Sequence, residues 1–271
     1  MPVNDPQAID LATLSEHLVS AVREAGALAF AMSKGPLKSW SKHHGSPVSE
    51  ADIEVDRMLH DRLTPIVPDY GWLSEEREDT KDRLSARRTW IVDPIDGTRA
   101  YLAGRPDWTI AVALVERGRP VLAAVFAPVE QAMFAAVADQ GATLNGSSIA
   151  ASTGDELQHT RIAGPKRHMD RLTQLIPGIN GVPKIHSLAL RFARIAEGTL
   201  DAAFASGSSS DWDLAAADLL VHEAGGALTT LDGRSLVYNR PHPTHGALVA
   251  AGRPRHKALV TLLRGHQGTL L

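Results

Sequence analysis

Between Trp108 and Ala138 the chain carries three strand-length apolar runs in close succession: WTIAVALVE (108–116), PVLAAVFAP (120–128) and AMFAAVA (132–138). Gly118-Arg119-Pro120 punctuates the first pair, a spacing that predicts antiparallel neighbours. A sheet of this kind needs covering elements. Residues 8–31 show helical spacing, with Leu11, Leu14, Leu18, Val22, Ala25 and Leu28 on one stripe. Residues 34–48, with Gly35, Pro36, Gly45 and Pro47, read as a loop. Ser49 then opens a second helix with Asp52 at its third position, a pattern like a capping box. Val55, Met58, Leu59 and Leu63 give that helix an apolar side.

The second half alternates. TRIAG (160–164), LDAAFA (200–205), ALTTL (227–231) and GALVAAG (246–252) read as strands. Residues 168–176, 188–197, 212–224 and 255–264 read as helices, the third closed by Gly225-Gly226. No repeat or linker interrupts the chain. Strands clustered first, then alternating with helices, predict layered packing of the α/β or α+β kind. The expectation is one compact domain over 1–271, with an α+β half to about 150 and an α/β half from about 151.

Composition removes several function classes. Hydrophobic residues make up 44 % and charged residues 22 %, ordinary globular usage. A net charge of −3 without a long basic run makes a nucleic-acid polymer a poor partner. With no cysteine, disulfides, thiolate nucleophiles and thiolate metal sites are excluded. The polar start MPVNDPQAID lacks the features of a signal peptide, and no apolar run is long enough to span a membrane. A soluble cytoplasmic protein is expected.

The chemistry gathers where apolar runs meet acids. Trp90, Ile91 and Val92 lead into Asp93 and Asp96; Glu75-Glu76 follow GWLS; Asp211 and Asp213 flank Trp212. An acid at the mouth of a buried strand is costly unless it is paired or bound to a metal. Pro94 and Gly97 favour a turn that would bring Asp93 and Asp96 to one side, where Asp213 could complete an oxygen site for Mg²⁺, Mn²⁺ or Ca²⁺. If Thr98 opens a helical turn through Tyr101, the N–H groups of Gly97 and Thr98 face an anion. Plainer roles compete. Asp52 and Asp211 can serve as helix caps, and Glu76, Asp79 and Asp82 as solvated charges.

Four segments, in order, resemble the inositol monophosphatase family: SPVSEAD (46–52), GWLSEE (71–76), WIVDPIDGT (90–98) and DWDLAAADLLVHEAGG (211–226). The resemblance implies a layered αβαβα sandwich of the inositol monophosphatase and fructose-1,6-bisphosphatase type, and a Mg²⁺-dependent phosphomonoesterase. Carried over by residue, Glu75, Asp93 and the Ile95 carbonyl match ligands of a first metal, and Asp93, Asp96 and Asp213 ligands of a second. Thr98 matches the residue that, with Glu75, orients the attacking water, while Asp52 joins the catalytic set and Gly97 the phosphate cradle. The family also implies two or three Mg²⁺ per site, inhibition by Li⁺ and a homodimer. His44 stands where related loops carry Asp, which puts a third metal in doubt.

The ester is less constrained. Inositol-type members place a Glu where this chain has Ala205 or Ser206, and the S-P-V and W-L-S-E-E forms look more like the 3'(2'),5'-bisphosphate nucleotidase branch. Lys166, Arg167 and Arg191 are candidate contacts for a second phosphate, although a solvated basic residue is the plainer reading of each. The expected substrate is a small phosphorylated metabolite, a 3'-phosphoadenosine 5'-phosphate-like nucleotide first. Inositol 1-phosphate is the alternative, then histidinol phosphate or fructose bisphosphate. A catalytically quiet binder of such metabolites is the non-enzyme alternative.

Overall fold

The computed structural model describes residues 9–41 and 47–265. His44 lies outside them, and with it the question of a third metal; the side chain of Arg167 is likewise outside the described set. Helix α1 (Leu11–Met32) is followed by a two-stranded ribbon, β1 (Ser39–Ser41) and β2 (Pro47–Ser49), and by α2 (Glu50–Leu63). Then come β3 (Gly71–Ser74), a 3-10 turn over Asp82–Leu84, β4 (Arg88–Asp96) and the short helix α3 (Thr98–Leu102). A run of strands follows: β5 (Thr109–Glu116), β6 (Arg119–Ala127), β7 (Ala132–Val137), β8 (Ala142–Leu144) and β9 (Ser147–Ile149). The second half contains β10 (Arg161–Ala163), α4 (Lys166–Leu175), β11 (Asn180–Gly181), α5 (Leu188–Ala196), β12 (Ala202–Ala205), β13 (Ser209–Ser210) and α6 (Asp211–Glu223). It closes with β14 (Gly226–Thr230), β15 (Thr244–His245), β16 (Leu248–Gly252) and α7 (Arg253–Gly265).

Strands β3 to β9 form one sheet in sequence order, antiparallel except for the parallel β3–β4 pair. Period-two alternation splits each strand between two cores. Ile110, Val112 and Leu114 of β5 pack with Leu14, Leu18, Leu59 and Leu63 of α1 and α2, while Ala111, Ala113 and Val115 face α5 and α6. Each fully buried leucine contributes roughly 2 kcal/mol. Alanines on both sides, such as Ala123 of β6 and Ala215 to Ala217 of α6, let helix and sheet approach closely. Gly26 serves α1 similarly, since a Cβ there would lie 2.3 Å from the Phe126 ring.

The second sheet, ordered β11-β10-β12-β16-β14, presents Ala203, Ala205, Leu248 and Ala250 to α5 and α6. Its other face packs Ile162, Phe204 and Val249 against Leu172 of α4 and Leu259, Val260 and Leu263 of α7. The layers are therefore α1/α2, seven-stranded sheet, α5/α6, five-stranded sheet, α4/α7: the expected αβαβα sandwich. One expectation needs correction. The segment read as plain loop over 34–48 carries the β1–β2 ribbon, with Trp40 opposite Val48; its strands are too short and polar to announce themselves by periodicity.

Candidate active site

Sheet register assembles the acids. Because β3 runs parallel to β4 with Ser74 opposite Val92, the next residue on each strand is Glu75 and Asp93, and Glu75 N–H donates to the Val92 carbonyl at 3.2 Å. The β4–β5 ladder pairs Asp93 with Ala111 and Asp96 with Thr109, three steps against two. That extra residue is a β-bulge. In a regular strand, Asp93 and Asp96 would point to opposite faces; the bulge cancels the alternation and turns both toward the α6 side. Strand β4 thus runs through Pro94 to Asp96, where the sequence predicts a turn. The common side is reached by a bulge, which also tolerates the missing N–H of Pro94. The turn comes at Gly97, whose φ of +95° is open to glycine but strained for other residues. The third acid arrives from α6, where Ser210 caps the helix and Asp213 is its third residue.

Oxygens of Asp93, Asp96 and Asp213 all lie within 4.8 Å of one another. Glu75, Ile95, Gly97 and Thr98 line the same cavity of about 280 Å³. Burial, then the charges of Glu75, Asp96, Asp213 and Asp52, hold the Asp93 carboxyl well above the ordinary range. Burial and Asp96 do the same to Asp213. Asp96 is pushed up to about 6 by burial, against the lowering effect of the Ser187 hydroxyl (2.6 Å) and the Ala189 N–H (2.6 Å) on Oδ2. Asp93 Oδ1 is buried with no hydrogen-bond partner among the described residues. Packed carboxylates around an orphaned oxygen are unfavourable alone. A hard divalent cation removes both penalties, so the donor set fits Mg²⁺.

Asp52 does two things at once. Its Oδ2 accepts from Ser49 N–H (2.8 Å) and Ser49 Oγ (2.6 Å), closing the capping box of α2, while Oδ1 lies 3.1 Å from Thr98 Oγ1. The Thr98 hydroxyl is also 3.1 Å from the Ile95 carbonyl. The cap and site readings of Asp52 are thus compatible. Behind Glu75, Ser74 Oγ donates to Asp56 Oδ1 at 2.5 Å, and Arg77 pairs with the same carboxylate, anchoring the end of β3 to α2.

A second cavity of about 670 Å³ adjoins the first, and Lys184 lines both. Its other charged lining residues are Lys166 and Arg191, and none is acidic. Arg191 is buried, donating to the carbonyls of Phe204 (3.0 Å) and Ile185 (2.6 Å), so its guanidinium holds the wall together. Lys184 and His186 on the acidic cavity escaped the sequence reading because they fall in an irregular segment without periodicity. The only local signal was Ser187, which caps α5 by accepting from Leu190 N–H at 2.9 Å.

Two readings of other acids change. Asp211 does not cap α6, since Ser210 does; its buried carboxylate accepts from Asn239 N–H (2.6 Å) and pairs with His245 Nε2 (2.7 Å). Asp79 is not simply solvated. Arg83 and Lys81 clamp it, and the Arg83 bonds, against some desolvation, hold its carboxyl far below the ordinary value.

A layered αβαβα body with clustered carboxylates at strand and helix ends defines a metal-dependent phosphomonoesterase. The chain belongs to the inositol monophosphatase family, whose model matches residues 10–267. An inositol-1-monophosphatase of Mesorhizobium japonicum is 30 % identical over 232 residues, covering 82 % of this chain and 85 % of the relative. A histidinol-phosphatase of Mycobacterium tuberculosis is 34 % identical, covering 80 % and 85 %. The 3'(2'),5'-bisphosphate nucleotidase CysQ of Haemophilus influenzae is 26 % identical, covering 84 % and 90 %. The Thermotoga maritima IMPase structure superposes with a TM-score of 0.81 at 25 % identity, over 94 % of this chain and 98 % of that one. No described helix is long and apolar enough to cross a membrane.

Proposed function

We propose that this chain hydrolyses a small phosphate monoester with two or three Mg²⁺, Glu75, Asp93, Asp96, Asp213 and the Ile95 carbonyl holding the ions. The observation carrying this is the three carboxylates within 4.8 Å around the orphaned Asp93 Oδ1. When bound, the ions neutralise the dianionic ester and make a water nucleophilic at neutral pH. The chain's own groups supply the rest. Glu75 accepts the proton of the attacking water. Thr98, its hydroxyl oriented by Asp52, fixes that water's position. The N–H groups of Gly97 and Thr98, at the start of α3, receive phosphoryl oxygens.

For the ester, we favour a metabolite with a second phosphate, the class of 3'(2'),5'-bisphosphate nucleotides. The charged residues lining the neighbouring cavity, Lys166, Lys184 and Arg191, are all basic, which supports this, as do Ala205 and Ser206 on its wall in place of a carboxylate. Arg167 belongs to the proposal through its place in α4. An inositol monophosphate is supported equally by the relatives, and histidinol phosphate follows it. Inhibition by Li⁺, a homodimer and a cytoplasmic setting complete the reading.

The test is kcat/KM on 3'-phosphoadenosine 5'-phosphate, inositol 1-phosphate and histidinol phosphate, with Mg²⁺ and with chelator. Turnover that requires Mg²⁺ and prefers the bisphosphate supports the proposal. Preference for a monophosphate moves it to that ester, and turnover of none leaves a metabolite-binding protein.

A further inference from the structure

Segment 184–188 separates the acidic cavity from the basic one and is pinned from both sides. Ser187 Oγ donates to Asp96 Oδ2 at 2.6 Å, and Ser187 N–H donates to the Asp107 carbonyl at 3.1 Å. Between them, His186 lines the acidic cavity. Its backbone N–H donates to Asp107 Oδ2 at 2.8 Å, and its ring Nδ1 lies 2.7 Å from the same oxygen. Arg105 Nε holds the other oxygen of Asp107 at 3.1 Å. Burial works against the Asp107 charge, but the hydrogen bonds from His186 and Arg105 together keep this carboxyl below its ordinary value. An ionised Asp107 requires a proton on Nδ1. That commits Nδ1 to Asp107 and leaves Nε2 as the ring's other polar atom.

Placement decides what that atom meets. The acidic cavity, at about 280 Å³, holds the carboxylates and the larger one the basic side chains, so an ester with its phosphoryl group among the acids would extend its alcohol part toward the larger cavity. Lys184, two residues before His186, lines both. An ester that spans both cavities therefore passes the wall formed by this segment. Glu75, Thr98 and His186 all line the acidic cavity and not the larger one; in an in-line displacement, water attacking from the Glu75–Thr98 side sends the alcohol out along the segment that carries His186.

Resting on the hydrolase reading above, we propose that His186, oriented by Asp107, is the proton donor to the leaving oxygen. As the ester P–O bond breaks, its electron pair goes to that oxygen, which takes a proton from His186 Nε2. The water oxygen bonds to phosphorus and its proton passes to Glu75. Glu75 then gives its proton to solvent and His186 regains one, so no net proton is consumed. Neither oxidant nor co-reactant is needed.

Leaving-group dependence tests this. A p-nitrophenolate departs without a proton, whereas an alkoxide does not. His186→Asn, which can keep the bond to Asp107 but offers nothing at Nε2, is expected to lose about 100-fold or more in kcat/KM on β-glycerophosphate. On p-nitrophenyl phosphate the loss is expected to stay under about threefold. Asp107→Asn should show the same selectivity at smaller size. An unchanged Mg²⁺-induced rise in Tm in both variants checks that the ion site is intact. Equal losses on the two esters, or no loss on either, overturn the role of His186 and leave the hydrolase reading standing. A wild-type protein inert with Mg²⁺ on both esters and on the three metabolites named above defeats the hydrolase reading itself, and the His186 role with it.

Discussion

Asp93 shows how one residue can be costly for the fold and necessary for the site. It is buried, surrounded by like charges, and has an oxygen with no partner among the described residues. Asp93→Asn should lower turnover by about 10³-fold or more, since it removes a shared ligand. In metal-free buffer the same variant should melt at or above the wild-type Tm, because repulsion is relieved; a large fall in Tm would show a structural role instead. A second, partly buried acid, five residues beyond Asp213 on α6, gives a prediction about stability. Asp218 accepts from Tyr238 at 2.9 Å, and burial pushes its carboxyl up to about 6. The folded state then binds this proton more tightly than the unfolded chain. Stability is therefore highest below about pH 4 for this group and declines as pH rises to about 6, by roughly 2–3 kcal/mol in all. Asp218→Asn keeps the Tyr238 bond without the charge, so it should raise Tm at pH 8 and change little near pH 4. A lower Tm at pH 8 would contradict that sign.

Among the elements, the junction of β4 and α3 carries most of the geometry. A Cβ on Gly97 would sit 3.2 Å from both the Asp107 carbonyl and Ser187 N, at a φ of +95°. Gly97→Ala should cost about 1–2 kcal/mol of stability. Turnover should fall further than that loss alone explains, because Thr98 and the wall at Ser187 are displaced together. Thermal melts alongside kcat measure both; a loss of stability with full activity would detach this turn from the site. Much of the element scale was legible in the chain. The leucine stripe of α1, the Ser49–Asp52 cap and the three runs over 108–138 follow from local periodicity and hydrogen-bonding chemistry. The β1–β2 ribbon and the bulge were not legible, because short polar strands carry no period and a bulge is visible only against its partner strand.

At the scale of the whole molecule, the site draws on distant parts of the chain: the end of β3, the end of β4 and the start of α6. Ion binding should therefore stabilise the fold as a unit, and it must displace protons from Asp93, Asp96 and Asp213. Saturating Mg²⁺ should raise Tm more at pH 7.5 than at pH 5.5, since Asp96, at about 6, increasingly holds its proton as pH falls. An equal shift at both values would mean the ion binds elsewhere. The strap from Leu236 to His245 belongs to this scale too. Asn239 accepts from Arg83 at 2.6 Å, donates to Thr89 at 3.1 Å and gives its backbone N–H to Asp211. It joins the first sheet to the start of the helix that bears Asp213.

Local pattern was enough to establish the long helices and main strands, in order, and the family resemblance to join Glu75, Asp93, Asp96, Thr98 and Asp213 in one kind of chemistry. Periodicity, capping and motif composition are properties of neighbouring residues and survive in a linear string. Register, bulge and layer order are relations between strands and helices far apart in the chain, and only packing resolves them. That is why only the folded molecule showed that a bulge rather than a turn brings Asp93 and Asp96 to one face, gave Asp211 to His245, and brought Lys184 and His186 to the wall between the two cavities.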